Sequence, residues 1–210
     1  MSKIIAFISQ KGGVSKSTLA RGIAREGLES GLDVKVADLD VQQGTFTEWH
    51  RIRLSNGFDS IGSVELFSNV KNALKQAKDY DLLVIDGGAR ASEGTLEISK
   101  VADLVVLPTS ASRDDLTPAI RLAFDLQKKG IDNKKIVFAL SKVTTEAEIE
   151  DARDYIKGSG FQVANGCLYE KPAYRQAQNE GLTITETKYR SLNIKADELL
   201  TSITELLLKD

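Results

Sequence analysis

The chain has 210 residues, 41% of them apolar and 28% charged, with a net charge of −2. That balance suits one packed soluble domain, excludes fibrous and disordered classes, and gives no global attraction toward nucleic acid or membrane. A single cysteine, Cys167, excludes a disulfide framework and any metal site built on several thiolates. No run approaches the roughly 18 consecutive apolar residues of a membrane-spanning helix, and the first residues lack a signal-peptide pattern, so a reducing cytoplasm is the expected setting.

Along the chain, short β-rich runs alternate with helical patterns, as in a parallel sheet covered by helices. The strands are expected at Lys3–Ser9, Val34–Asp38, Ser63–Phe67, Leu82–Asp86, Leu104–Pro108, Lys135–Ser141 and Gln162–Cys167. Several are almost wholly apolar, the pattern of strands buried on both faces. Leu19, Ala20, Ile23, Ala24 and Leu28 recur at helical spacing, as do Leu116, Ala119, Ile120, Ala123 and Phe124. The last segment places Leu199, Leu200, Ile203, Leu206 and Leu207 on one stripe. Its polar face is acidic and hydroxylic rather than basic, which predicts a packing helix instead of a membrane-surface helix.

Between the first strand and the first helix lies Gln10-Lys11-Gly12-Gly13-Val14-Ser15-Lys16-Ser17-Thr18. The two glycines let backbone approach oxyanions, and the unpartnered N–H groups opening a helix can bond phosphate oxygens. In such a loop Lys16 reaches the β- and γ-phosphates and the Ser17 hydroxyl ligates Mg²⁺. The strict pattern G-x-x-x-x-G-K-[ST] fails twice, since Gln10 and Ser15 occupy its glycine positions. A Cβ at Ser15 costs about 1 kcal/mol if the turn requires φ > 0.

This loop resembles the deviant phosphate loop of the ParA/MinD family, K-G-G-x-G-K-[ST]-T. The resemblance continues in Val36-Ala-Asp38-Leu-Asp40-Val-Gln42-Gln-Gly44-Thr45, where Val41 replaces a usual proline, and in the Walker B-like strand Tyr80-Asp-Leu-Leu-Val-Ile-Asp86. Ala173-Tyr174-Arg175-Gln-Ala177 and Gly181-Leu-Thr-Ile-Thr-Glu186 resemble segments of the short plasmid-partition members. The resemblance implies an α/β fold, a mostly parallel twisted sheet flanked by helices, in one P-loop ATPase domain over residues 1–210. It implies ATP and Mg²⁺ as ligands, with Lys11, Gly12, Gly13, Val14, Ser15, Lys16, Ser17 and Thr18 around the nucleotide. By the same resemblance Lys11 crosses to ATP in the partner subunit, so that dimerisation depends on ATP. Asp40 would orient the attacking water, and Ser17, Asp38 and Asp86 would serve the metal. All three aspartates fall at expected strand ends, where open α/β sheets bind ligands; a turn or helix-cap role stays open for Asp38 and Asp86.

The family often reads adenine with an asparagine after its sixth strand, where this chain has Ser141-Lys142. Peptide groups near Lys171-Pro172 are the substitute expected here. After Asp86 comes Gly87-Gly88-Ala89-Arg90, a glycine-rich switch-like segment whose Arg90 faces phosphate, a partner subunit or solvent.

The first strand begins at about residue 3, which leaves no helix-turn-helix before it and makes operator-specific repression an unexpected function. Nonspecific DNA binding needs a local patch. Between Glu170 and Lys195 stand Lys171, Arg175, Lys188, Arg190 and Lys195 against three carboxylates, one candidate patch or an ordinary solvated face. His50, Arg51 and Arg53 form a second, with Trp49 among them expected in the core or a dimer contact. The leading expectation is a nucleoid-associated ATPase for plasmid or chromosome segregation, with hydrolysis stimulated by a centromere-binding ParB-like adaptor. The rivals are a MinD-like spatial regulator, which wants a basic amphipathic C-terminus that Ile203–Asp210 lacks; a metallocluster carrier, which wants more cysteines; and a nucleotide-dependent binding module with little turnover. No stable membrane association is expected.

Overall fold

The computed structural model describes residues 2–87 and 93–209. Its strands are β1 (Lys3–Phe7), β2 (Val34–Asp38), β3 (Ser63–Leu66), β4 (Leu82–Asp86), β5 (Leu104–Thr109), β6 (Ile136–Val143), β7 (Gln162–Val163) and β8 (Leu168–Tyr169). Its helices are α1 (Lys16–Glu29), α2 (Thr45–Ser55), α3 (Val70–Ala77), α4 (Glu93–Val101), α5 (Arg113–Lys128), α6 (Glu146–Gly158), α7 (Pro172–Asn179) and α8 (Arg190–Leu208). The strands form one sheet in the order β3-β2-β4-β1-β5-β6-β7, with β8 also on β6, and these pairings are parallel. Helical crossovers between parallel strands place helices on both faces.

The two-residue side-chain period of a strand divides the core into two layers. Ala6, Leu83, Ile85, Val105 and Leu107 point to the face covered by α3, α4, α5 and α6. Ile5, Phe7, Val84 and Val106 point to the face covered by α1, α2 and α8. The C-terminal stripe behaves as its spacing predicts: Leu199, Leu200, Ile203 and Leu207 are buried in the second layer.

Of the expected strand Gln162–Cys167 only Gln162–Val163 forms, and a second short strand follows at Leu168–Tyr169. Between them the Asn165 N–H donates to Ser202 Oγ of α8 at 2.8 Å rather than to a ladder partner, so the chain leaves the sheet edge and rejoins β6 further along. At the other end of the second layer, Gly181 sits at φ 82 with its absent Cβ only 2.4 Å from Arg53 Cα. Any side chain there would push α2 away, so this glycine sets how closely the 181–186 segment lies on α2.

Candidate functional site

The loop from Ile8 to Ser15 turns β1 into α1 at the C-terminal edge of the sheet. Gly13 (φ 77) and Ser15 (φ 72) are both left-handed, and Ser15 is the N-cap of α1 without a side-chain cap bond. Ser15 thus occupies the conformation that favours glycine. Buried Val14 anchors the loop from below, its carbonyl accepting from Ser141 Oγ at 3.2 Å. The first turn of α1 carries no carboxylate, so the N–H groups and dipole of its start face the cleft without a resident anion.

Two carboxylates stand beside this helix start. Parallel register pairs Asp38 of β2 with Asp86 of β4, and Asp86 with Phe7 of β1, so both aspartates end strands next to the loop. Asp38 is fully buried and well bonded: Oδ1 accepts from Asp40 N at 3.1 Å, while Oδ2 accepts from Thr47 N and Thr47 Oγ1, each at 3.1 Å. It therefore ties the Asp40 loop to the first turn of α2. Asp40 lines the cleft and holds its own turn, its carbonyl accepting from Gly44 N at 2.6 Å and its Oδ1 from Gln43 N at 3.2 Å.

Asp86 is different. It is buried, and its Oδ1 has no hydrogen-bond partner. Burial pushes its carboxyl up to about 6, against the Ser17 hydrogen bond and the charges of Lys16 and Arg21, while Asp38 adds to the rise. An orphaned buried oxygen next to a Lys-Ser pair is a place where a hard cation and its waters fit. Ser17 and Asp86 thus lie together with Asp38 beside them, and Asp38, both of its oxygens already bonded, fills the turn-and-cap role left open for it.

The cleft that Ser17 lines, with the two buried aspartates behind it, has a volume of about 520 Å³, within the range of about 300–1,000 Å³ usual for small-molecule sites. Gly12, Gly13, Lys16 and Ser17 form its floor, and Leu168 to Lys171 with α7 form the far wall. Lys171 and Arg175, read from sequence as DNA contacts, line this cleft. Lys188, Arg190 and Lys195 are exposed, and Lys195 stacks over Tyr169 at 4.1 Å. Lys11 leans onto the start of α5, where Nζ pairs with the Asp115 carboxylate and approaches the Asp114 carbonyl at 3.4 Å.

Of the second candidate DNA patch, Arg51 is exposed and His50 half-buried, but Arg53 does not face solvent. Arg53 is buried, forking onto Glu186 at 2.8 and 2.9 Å and donating to the Gly181 carbonyl at 2.9 Å. Trp49 is core, as expected. Arg90 lies outside the described residues.

The sequence reading gave no site role to three residues at or beneath the cleft: Ser141 and Lys142, noted only in place of an adenine-reading asparagine, and Arg21. Lys142 is the next-to-last residue of β6, at φ 54, with Nζ 3.9 Å from where a Cβ on Gly13 would stand. Ser141 is the loop anchor, and buried Arg21 lines the cleft floor. A lysine and a serine ending an apolar strand were a legible signal, since that edge binds ligands. Arg21 gave none, because arginines on amphipathic helices usually face water.

A phosphate-type loop and a free helix start lining one cleft with Asp40, backed by the paired strand-end carboxylates of Asp38 and Asp86, define a nucleotide-binding α/β protein. Residues 5–184 match the CobQ/CobB/MinD/ParA nucleotide binding domain, and the chain belongs to that family. No curated protein sequence matches it. Among solved structures, the cell division ATPase MinD of Pyrococcus furiosus aligns with a TM-score of 0.77 at 18% identity, over 98% of this chain and 100% of that one. MinD of Pyrococcus horikoshii in complex with Mg-ADP aligns at 0.72 and 18%, over 98% and 97%. A plasmid partition protein of Borrelia burgdorferi bound to AMPPNP aligns at 0.73 and 17%, over 99% of each chain. Identities this low establish the shared fold, and function has to be argued from the site.

Proposed function

We propose that the protein is a ParA-type ATPase that serves DNA segregation, binding Mg-ATP in the cleft and dimerising when it does so. The observation that carries this reading is the conjunction of the Lys11-Gly-Gly-x-x-Lys16-Ser17 loop at a free helix start with the orphaned oxygen of Asp86 beside it. Amides of Gly12 to Thr18 and the Lys16 ammonium bind the phosphates, and Ser17 and Asp86 hold the magnesium, with Asp38 acting through the loop it fixes. The bound Mg²⁺ supplies charge neutralisation of the phosphate oxygens. Asp40, held at the cleft edge by its own turn, orients water for attack. Lys11 leaves Asp115 and serves the partner subunit's nucleotide. The 168–171 wall, including the Lys171-Pro172 peptide, reads the base.

Nonspecific DNA binding falls to the exposed Lys188, Arg190 and Lys195, with Lys171 and Arg175 at the cleft margin. Two such patches in a dimer give a salt-sensitive contact. A centromere-binding, ParB-like adaptor then stimulates hydrolysis and release, which places the protein in the cytoplasm on the nucleoid. Among the described residues no helix is long and apolar enough to cross a membrane.

Calorimetry with Mg-ATP tests binding, and sedimentation with ATP or ADP, with duplex DNA or anionic vesicles, at two salt concentrations, tests the cellular role. ATP-dependent, salt-sensitive pelleting with DNA is the expected result. Pelleting with vesicles alone would transfer the protein to the MinD-like class.

A further inference from the structure

Arg21 is a cation in an unusual place. It is 8% exposed, one turn along α1 from Ser17, and it lies beneath the cleft between three elements. Its Nη1 donates to Gln178 Oε1 of α7 at 2.7 Å, and its Nη2 donates to the Thr45 carbonyl at the start of α2 at 2.6 Å. The guanidinium lies 4.7 Å from the Trp49 ring centre and 5.5 Å from that of Phe46. Nε remains without a partner. Burying a guanidinium is costly, and only part of that cost is met by the charges of the buried Asp86 and Asp38 carboxylates, which favour it. The charge therefore does something that packing alone does not require.

Its partners show what that is. Gln178 is fixed by a second bond, Nε2 donating to the Leu182 carbonyl at 2.8 Å, so its oxygen is held toward Arg21. From Thr45 the chain runs two residues to Thr47, whose N–H and hydroxyl bind Asp38 Oδ2, and Asp38 Oδ1 in turn holds the Asp40 N–H. A continuous set of bonds thus links the α7 wall of the cleft to the aspartate loop on the opposite side. We propose that Arg21 is a positioning residue that couples α7 to the Asp38–Thr47 segment, so that a ligand gripping the α7 wall fixes Asp40 across the cleft. The proposal deepens the nucleotide-binding reading, but its first test needs no nucleotide.

That test is amide hydrogen exchange on the ligand-free protein. Gln178→Ala touches neither α2 nor the aspartate loop, yet the amides of Gln43, Gly44 and Thr47 should exchange about tenfold faster, a coupling of ordinary size. Arg21→Met should do the same, Arg21→Lys should restore part of the protection, and β1 amides should not change in any variant. Should Arg21→Met fail to fold, Gln178→Ala carries the test. Unchanged exchange from Gln43 to Thr47 in Gln178→Ala overturns the proposal. In a second arm, Mg-ADP should protect α7 and residues 43–47 together in the natural chain and only α7 in Gln178→Ala; loss of joint protection supports the coupling, and its persistence overturns it. Absence of any Mg-ADP protection in the natural chain sinks the nucleotide reading, while the ligand-free comparison still decides the coupling.

Discussion

Asp38 and Asp86 are register partners on adjacent strands, yet one has its carboxylate bonded to three donors and the other keeps an oxygen with none. Parallel pairing brings the two charges to one sheet edge, and the loop after β2 then bends back to satisfy only its own aspartate. What is left over is a buried, under-coordinated carboxylate beside the Lys16-Ser17 helix start. Such a group weakens the fold and is retained where something else completes it.

The Asp86 imbalance predicts a definite pH dependence. Its carboxyl sits near 6 in the folded chain against an ordinary value of 3.8. Well below pH 3.8 it is neutral in both states and imposes no penalty. Between pH 3.8 and 6 the unfolded chain gives up this proton while the folded group, in its dry site, keeps it, so stability falls over that window and levels off above it, by roughly 3 kcal/mol in total. Asp86→Asn should therefore melt higher than the natural chain at pH 7.5, with the difference shrinking toward zero at about pH 3, while losing magnesium-dependent nucleotide affinity. Binding of Mg-ATP near pH 6 should release a proportion of a proton, read by calorimetry in buffers of different ionisation heat. A variant no more stable at pH 7.5 would show that Asp86 carries no such penalty.

Ser15 gives a prediction of opposite character. Its φ of 72 places a Cβ in the left-handed region, at a cost of about 1 kcal/mol relative to glycine. Ser15 makes no side-chain cap bond that would offset the strain. Ser15→Gly should raise stability by up to that amount in denaturant titration and leave the loop able to bind nucleotide at least as tightly. A loss of stability would mean that the hydroxyl has a partner worth more than the strain.

The clamp between α2 and the 181–186 segment is a largely buried, two-pronged ion pair near the site. Burial alone would raise the Glu186 carboxyl, but the Arg53 fork, the Thr183 N–H and the Arg25 charge outweigh it and hold it down at about 2, against an ordinary 4.5. A depressed carboxylate stabilises fully above pH 4.5 and loses that contribution as pH falls through 2. Glu186→Ala should cost about 3 to 5 kcal/mol, because it strands Arg53 in the core. The double change Arg53→Met with Glu186→Leu should recover more than half of the loss in urea titration. Equal losses in single and double variants would show that packing against Gly181, rather than charge, holds the segment.

These contrasts mark what a sequence can carry. The apolar runs of β2, β4 and β5 and the leucine stripe of α8 announce themselves, because burial on both strand faces or on one helix face leaves a periodic pattern. The loop and its aspartates are legible for a related reason: glycines, a Lys-Ser pair and strand-end carboxylates are local features. Arg21 and the Arg53–Glu186 pair are not. Their roles arise from contacts 157 and 133 residues away along the chain, and on a helical wheel each arginine resembles a solvated one. Gln162–Cys167 was misread for a similar reason, since the bond that ends β7 comes from Ser202.

Lys11 supplies the last prediction. In one chain its ammonium pairs with Asp115, itself bonded by Ser110 Oγ at 2.6 Å, so the lysine is engaged within its own subunit. If it must cross to a partner's nucleotide, each dimer formed breaks two such pairs. A half-exposed ion pair is worth about 1 kcal/mol at most, so removing both favours dimerisation by up to roughly 2 kcal/mol, or thirtyfold. Asp115→Asn should accordingly shift the ATP-dependent dimer to lower protein concentration in sedimentation velocity, with ATP affinity of the monomer unchanged. Lys11→Gln should bind ATP and remain monomeric. A dimer that forms as readily in Lys11→Gln as in the natural chain would show that this lysine serves its own subunit, and Asp115 would then be its permanent partner rather than its competitor.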